Sequence, residues 1–191
     1  SSFCQNRYIA ASITRDGRAL ILLSKHIADN EFEVRYPLSV DGARGQAEVV
    51  RKETDIEEDG HERQPLRTIY GDTDSIFVKF PDDVHIKEVF RASEVICERI
   101  TGLLAKPHVL EFEKVFAPFI QWQKKRYAGV KFDAGCSETG KLSFSGISAV
   151  RRDNFSYLTD CIKEALDKML IDKVSLDELT AWSIACVDKL W

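Results

Sequence analysis

The sequence predicts an α+β fold on three observations. Apolar residues recur at helical spacing over 9–28 and again over 84–105. Between these segments, two short runs rich in β-branched and aromatic residues flank a turn at 71–75. After them, apolar and polar residues alternate over 109–146, and amphipathic segments follow. The order of helix, hairpin, helix, small sheet and helices indicates an α+β domain that continues into a mainly helical one.

The first predicted helix covers residues 9–28 and is followed by a long connection. Its apolar positions share one face and are Ile9, Ile13, Leu20, Leu23 and Ile27. Gly17 weakens the helix from within. The connection over 30–65 is expected to be loop-like, with candidate short strands at 35–38 and 47–50.

Residues 68–70 and 76–78 are the predicted strands of a β-hairpin, which places Asp72 and Asp74 at its tip. Carboxylates on a rigid hairpin are good ligands for a hard cation such as Mg²⁺. By composition alone, such a turn is more often a solvated loop, and Asp-x-Asp also occurs in sugar-nucleotide transferases and calcium loops. A calcium loop needs Gly at its sixth position, where Phe77 stands, so that alternative is excluded.

The second predicted helix covers 84–105, after the start signal Pro81-Asp82-Asp83. Gly102 and Pro107 end it. Its apolar face consists of Ile86, Val89, Phe90, Ile96, Ile100 and Leu103.

The next segment, 109–115, is predicted to be a strand with Glu111 and Glu113 on one face. Further strands are predicted at 119–122, 126–132 and 142–146, with a turn at 135–140. A helix is predicted over 155–170. The capping box that starts at Ser175 opens a last helix to Trp191.

Length and composition bound the protein class. A chain of 191 residues with 44% hydrophobic residues suits one or two small domains. The sequence contains no apolar run long enough to cross a membrane and no signal-peptide pattern at residue 1. The five cysteines lack metal-ligand spacing, so reduced thiols in a cytosolic or nuclear protein are expected. They are Cys4, Cys97, Cys136, Cys161 and Cys186.

Charge is unevenly distributed along the chain. The net charge of −4 argues weakly against nucleic-acid binding. However, residues 121–152 hold seven basic side chains against two acidic ones, whereas residues 53–62 hold six acids. We expect the acidic run to be a solvated insertion without chemistry.

Four sequence blocks carry a family resemblance. The hexapeptide at 70–75, Tyr-Gly-Asp-Thr-Asp-Ser, is identical to motif C of the family B DNA polymerases. Residues 11–18 resemble the palm helix that precedes motif C, and 110–129 resemble the family's Glu-rich strand and Lys-Lys-Arg-Tyr motif. Residues 146–154 resemble its Gly-Ile/Leu-x-x-Val-Arg-Arg-Asp segment. This collinear order argues strongly against a chance match. The chain is most similar to delta-type replicative polymerases and to polymerases of large DNA viruses.

The resemblance implies a partial polymerase palm with motif C over 1–106. It implies a palm–thumb junction and the start of a mainly helical thumb over 107–191. The family's motifs A and B are not found in the sequence. The chain is therefore expected to be a polymerase fragment that starts after motif B, stops inside the thumb and is inactive alone.

The resemblance also implies DNA-directed nucleotidyl transfer from dNTPs to a primer 3′-hydroxyl, with two Mg²⁺ ions in the complete enzyme. Asp74 would bind the metals directly, and Asp72 would tune the field or order a metal or water. Glu113 would have a supporting metal role. The turn would be shaped by Tyr70, Gly71, Thr73 and Ser75.

Cations downstream are the expected DNA contacts. Strand alternation would place Lys125 and Tyr127 on one face and Lys124 and Arg126 on the other, where the family grips the minor groove of primer-template DNA. The thumb residues Arg151 and Arg152 would contact phosphates. Regions outside this chain would hold any processivity factor. The nucleus is the expected location, or the host nucleus or cytoplasm for a viral protein, with no membrane partner.

Two alternatives remain. A non-catalytic polymerase remnant would bind duplex DNA without extending a primer. A sugar-nucleotide transferase would use Asp72 and Asp74 as its metal motif, but this alternative explains neither 110–129 nor 146–154.

Overall fold

A computed structural model describes residues 7–38, 43–52, 61–133, 140–147 and 155–189, with side chains described from residue 12 onward. The chain contains helices and small antiparallel sheets, which confirms the α+β class. It divides into two compact units, Ser1–Phe112 and Glu113–Trp191. The assignment of the ranges 1–106 and 107–191 to palm and thumb stays a prediction.

Helix α1 (Arg7–Glu31) contains the predicted helix and extends beyond both of its ends. Its C-terminal part is anchored in the core, where Ile27 is 2% exposed and Ala28 is fully buried. The predicted apolar face is buried only at this end, because Ile13 is 67% and Leu23 37% exposed. Helical periodicity therefore predicted the helix correctly but overestimated how much of its apolar face is covered.

A three-stranded antiparallel sheet follows, built from β1 (Phe32–Tyr36), β2 (Glu48–Arg51) and β3 (Glu62–Pro65) in the order β2-β1-β3. The prediction of a loop-like connection was wrong for β3 and for the first half of β1. Strand β3 has no apolar alternation, and its position is stabilised by the backbone ladder and by an ion pair from Arg63 to the buried Glu33. Such a strand has no sequence signature. Residues 53–60 of the acidic run lie outside the described residues.

Helix α2 (Ile86–Leu103) packs on this sheet through Val89, Ala92, Ile96 and Ile100, which repeat at helical spacing and are all buried. The helix begins later than predicted. Its cap is His85, whose side chain accepts a hydrogen bond from the backbone N–H of Lys87. In the described part of the chain, no helix is both long and apolar enough to cross a membrane.

A cluster of ion pairs connects α1 to α2 through Glu31 and Arg99, which are 68 positions apart in the sequence. Arg99 Nε donates to Glu31 Oε2 over 2.8 Å, and Arg51 lies 3.1 Å from the same oxygen. The hydrogen bond from Arg99 lowers the pKa of Glu31 below its ordinary value of 4.5. Because this pKa is lower in the folded state than in the unfolded state, the stabilisation is present above pH 4.5. It is lost as pH falls through the folded pKa.

We expect Glu31→Gln to lower the free energy of unfolding at pH 7 by about 1 kcal/mol, because it removes a charge-assisted hydrogen bond that is partly screened. The variant should also lose part of the decline in stability between about pH 5 and pH 3. Urea unfolding followed by far-UV circular dichroism at several pH values measures both effects. Glu98→Gln, on exposed α2 surface, is the matched control. An unchanged pH profile in Glu31→Gln would contradict the assignment.

The hairpin and the second sheet follow the predicted order. Strands β4 (Arg67–Asp72) and β5 (Ser75–Lys79) form the hairpin. Strands β6 (Lys114–Gln123), β7 (Arg126–Asp133) and β8 (Lys141–Ser145) form a sheet in the order β6-β7-β8. The predicted strand at 109–115 was wrong over 109–113, because these residues have no ladder partner among the described residues and β6 begins at Lys114. Residues 134–139 of the predicted turn lie outside the described residues.

The second unit closes with α3 (Ser156–Leu170) and α4 (Leu176–Asp188), which were both predicted, although α4 ends at Asp188 and not at Trp191. The capping box at the start of α4 is confirmed, since Ser175 Oγ accepts from the N–H of Glu178 and the Glu178 carboxylate accepts from the N–H of Ser175. The core of this unit lies between the sheet and α3. Its buried residues are Ala128, Val130, Ile147, Leu166 and Leu170.

Candidate catalytic hairpin and nucleic-acid interface

The base of the β4–β5 hairpin is attached to α1. Asp29 Oδ1 accepts a hydrogen bond of 2.6 Å from the backbone N–H of Thr68, and Lys25 Nζ pairs with the other carboxylate oxygen at 2.5 Å. The ladder shifts register between Thr68 and Tyr70, which marks a β-bulge beside this anchor. No local sequence signal indicates that Asp29 has this role.

The middle of the hairpin lies along α1. A Cβ added to Gly71 would lie 3.6 Å from Ile21 Cγ2, and one added to Gly17 would lie 3.9 Å from the Thr73 carbonyl oxygen. The rings of Tyr70 and Phe77 pack across the two strands with their centroids 5.4 Å apart. The hairpin is thus supported by a helix, which two strands require to be stable in water.

Thr73 and Asp74 form a two-residue tip between the paired residues Asp72 and Ser75. Thr73 has a φ of 39°, an unusual backbone conformation for a β-branched residue. Three hydrogen bonds converge on Asp72. Thr73 Oγ1 donates to its carboxylate at 3.1 Å, Ser75 Oγ donates to its carbonyl at 3.3 Å, and the N–H of Asp74 donates to the same carbonyl.

These contacts give the two carboxylates different environments. Asp72 is half-buried and hydrogen-bonded, whereas Asp74 is exposed. Among the described residues, the Asp74 carboxylate has no hydrogen-bond or ion-pair partner. A carboxylate that projects from a backbone-constrained tip, with its oxygens open, can accept a hard cation without first breaking an ion pair.

The described residues contain no group of three His, Cys, Asp or Glu side chains that could hold a metal. Mg²⁺ takes about six oxygen ligands in octahedral geometry, and proteins commonly supply only one or two carboxylates. The residues of the tip therefore fit a share of a Mg²⁺ site, with other ligands coming from water, substrate or further protein.

The predicted cations of the second unit lie at the tip of another hairpin. Lys124 and Lys125 are the two turn residues between β6 and β7, and the Gln123–Arg126 pair closes the ladder. The predicted alternation of faces was wrong for these lysines, because Lys125 has a φ of 62° and neither residue is in a strand. Both lysines are exposed, so the turn presents its charges to solvent.

Gly146 packs against the backbone of this turn. Its φ is 61°, and a Cβ added to it would lie 2.1 Å from the Lys125 carbonyl oxygen. Only glycine allows both this left-handed backbone and this close approach. The end of β8 and the lysine turn are therefore in direct backbone contact.

Tyr127 has a packing role that the sequence did not reveal. Its ring lies 5.9 Å from that of Phe116 and 5.6 Å from that of Phe119, centroid to centroid. This aromatic cluster holds β6 against β7 next to the lysine turn. Arg126, by contrast, is exposed.

The remaining predicted site residues lie in neither tip, and two of them fall outside the described residues. Glu113 directly precedes β6, with its side chain 75% exposed and paired with Lys114 Nζ at 2.6 Å. Glu111 is also exposed, in the segment without ladder partners. Arg151 and Arg152 lie outside the described residues.

The family model for DNA polymerase family B matches residues 1–189 of the chain. The chain belongs to the family B DNA polymerases. The resemblance seen in the four sequence blocks is thereby confirmed.

Individual relatives of this family B chain are viral and cellular. A DNA polymerase of Paramecium bursaria Chlorella virus NY2A is 38% identical over 126 residues, which cover 64% of this chain and 14% of the relative. The DNA polymerase delta catalytic subunits of Glycine max and Schizosaccharomyces pombe are 33% and 32% identical over 165 residues. Each of these matches covers 86% of this chain and 13% of the subunit. The chain thus spans about one seventh of the length of the curated relatives it matches.

Proposed function

We propose that this chain supplies the motif C hairpin and a DNA-gripping turn of a DNA-directed DNA polymerase, which transfers nucleotides from dNTPs to a primer 3′-hydroxyl. The observation that carries the proposal is the Thr73–Asp74 tip, which exposes one carboxylate without a partner in the described part of the chain and holds a second by hydrogen bonds. The family membership supports the same conclusion. The names of the delta and viral relatives favour a nuclear or viral replication enzyme.

Asp74 and Asp72 would hold Mg²⁺ together with ligands outside the described residues. When bound, such ions acidify the primer hydroxyl and neutralise the developing charge on the phosphates. Asp74 contributes an open, negatively charged oxygen pair on a backbone-constrained turn. Asp72, which is tied to Thr73 and Ser75, keeps the tip in shape and adds to the negative field.

Glu113 is proposed only as a supporting group. Its carboxylate is exposed and paired with Lys114, so a metal would have to compete with an ammonium group for it. The same contact could instead serve to orient Lys114 at the start of β6. The role of this residue is therefore secondary to that of Asp74.

The exposed turn at Lys124 and Lys125, with Arg126 next to it, suits a contact with primer-template DNA. Cationic side chains neutralise phosphates or donate hydrogen bonds to the acceptors of the minor groove, and neither contact depends on the base sequence. The turn is braced by Gly146 and by the aromatic cluster around Tyr127, so its charges are presented on a defined backbone. Arg151 and Arg152 remain proposed phosphate contacts.

The direct test is primer extension by the full-length protein that contains this chain. With primed template, dNTPs and Mg²⁺, we expect template-directed extension that stops when a chelator is added. A protein that binds primer-template DNA tightly but never extends the primer would favour the alternative of a non-catalytic DNA-binding remnant. A dependence on a sugar nucleotide instead of dNTPs would favour the transferase alternative.

We expect Lys125→Ala to weaken binding of the full-length protein to primer-template DNA by about three- to tenfold at moderate salt, because one cationic contact is lost. The slope of the logarithm of the binding constant against that of salt concentration should fall by about one. Fluorescence anisotropy over a salt series measures both quantities. Lys163→Ala, an exposed lysine of α3, serves as the matched control. If the two variants behave alike, the turn does not grip DNA.

A further inference from the structure

Helices α3 and α4 pack as an antiparallel pair whose register is defined at two levels. Tyr157 Oη donates a 2.7 Å hydrogen bond to the Cys186 carbonyl. At the other level, Trp182 Nε1 donates to Glu164 Oε1 over 3.0 Å, and Lys168 lies 5.7 Å from the centroid of the Trp182 ring. Residues 157–164 of α3 therefore face residues 182–186 of α4.

Two cysteines meet within this register, although 25 positions separate them in sequence. Cys161 lies one helical turn after Tyr157, on the same face of α3. Cys186 lies one helical turn after Trp182, on the face of α4 that contacts α3, so the two hydrogen bonds place both cysteines on the facing sides of the helix pair. Both thiols are free and half-buried. Cys97, in the other unit, has no such thiol neighbour among the described residues.

We propose that Cys161 and Cys186 form a redox modification site, at which a peroxide converts the two thiols into a disulfide that links α3 to α4. One sulfur attacks a peroxide oxygen and breaks the O–O bond, which gives a sulfenic acid and, from hydrogen peroxide, one water. The second sulfur then attacks the sulfenic sulfur, forms the S–S bond and releases another water. Two thiols are thereby oxidised by two electrons, and one peroxide is reduced.

The surroundings favour formation of the disulfide over further oxidation. Partial burial raises the pKa of the Cys186 thiol, with the neighbouring Cys161 adding to the effect, so little thiolate forms near neutral pH. Oxidation should therefore be slow. Once one sulfenic acid forms, however, the second thiol lies across the same helix interface and captures it before more peroxide arrives. The link would close the chain across the α3–α4 connection and restrict the unfolded state.

The experiment treats the full 191-residue chain at low concentration with hydrogen peroxide, blocks the remaining thiols and digests the protein with trypsin without reductant. We expect a disulfide-linked pair of peptides, 153–163 with 174–189, that dithiothreitol separates. The Trp-detected melting temperature should rise by several degrees on oxidation and return on reduction.

Cys161→Ser and Cys186→Ser should each abolish the linked peptides and the rise in melting temperature, and Cys97→Ser should preserve both. The peptide map of the oxidised chain without substitutions tests the proposal even if a serine variant does not fold. Separate peptides 153–163 and 174–189 with both cysteines alkylated, or carrying sulfinic acid, would overturn the proposal. A link from either cysteine to a different one would also overturn it.

Discussion

If the full-length protein is the proposed polymerase, Asp74→Asn should reduce its rate of primer extension by about 10³-fold. The substitution keeps the size of the side chain but removes the negative charge of the exposed group at the hairpin tip. At the proposed metal-binding position, a lost charge removes several kcal/mol of stabilisation from the transition state, and each 1.4 kcal/mol is about tenfold in rate. Single-turnover extension of a labelled primer measures the loss.

The Asp74→Asn variant should still bind primer-template DNA. Binding to primer-template DNA without metal should be unchanged or slightly tighter, since a negative charge is removed. Asp82→Asn alters a carboxylate whose side chain is 94% exposed, in the same unit but away from the tip, and should extend primers normally. Asp72→Asn should have a smaller effect than Asp74→Asn, because its hydrogen bonds can persist. Normal primer extension by Asp74→Asn would show that the hairpin is not part of the catalytic site.

Gly146→Ala should destabilise the second unit by about 2–4 kcal/mol. The left-handed backbone at a φ of 61° costs alanine about 1–2 kcal/mol. The new Cβ would in addition lie 2.1 Å from the Lys125 carbonyl oxygen, so either β8 or the lysine turn must move. Because the neighbour is backbone, a change of side-chain rotamer cannot relieve the contact.

Urea unfolding detected by Trp fluorescence measures this effect, because the three Trp residues all lie in the second unit. Gly102→Ala is the control. A Cβ added there meets nothing within 4 Å, and its helix lies in the first unit, so the Trp-detected midpoint should not change. DNA binding by Gly146→Ala should also weaken, in the direction of Lys125→Ala, at temperatures where the unit is still folded. An unchanged midpoint would show that the turn accommodates the new group.

The local elements followed from local signals. The β4–β5 hairpin, the capping box at Ser175 and the helices α1, α2, α3 and α4 were all predicted, because periodicity and turn chemistry act over a few residues. Two errors share one cause. Residues 109–113 alternate like a strand but lack a ladder partner among the described residues, and Lys124 and Lys125 form a turn, to which the strand-like alternation of faces predicted for them does not apply. Alternation describes which side chains are apolar, but it does not specify where the chain reverses direction or whether a partner strand is present.

The sequence by itself therefore determined the family, the α+β order of elements and the position of the two carboxylates in a turn. Only the tertiary structure decided how Asp74 differs from Asp72, how Asp29 anchors the hairpin, why Gly146 must be glycine and which cysteines face each other across α3 and α4. The reason is physical. Turns and helices are specified by interactions between near neighbours, whereas burial, long-range hydrogen bonds and thiol contacts depend on how distant segments pack.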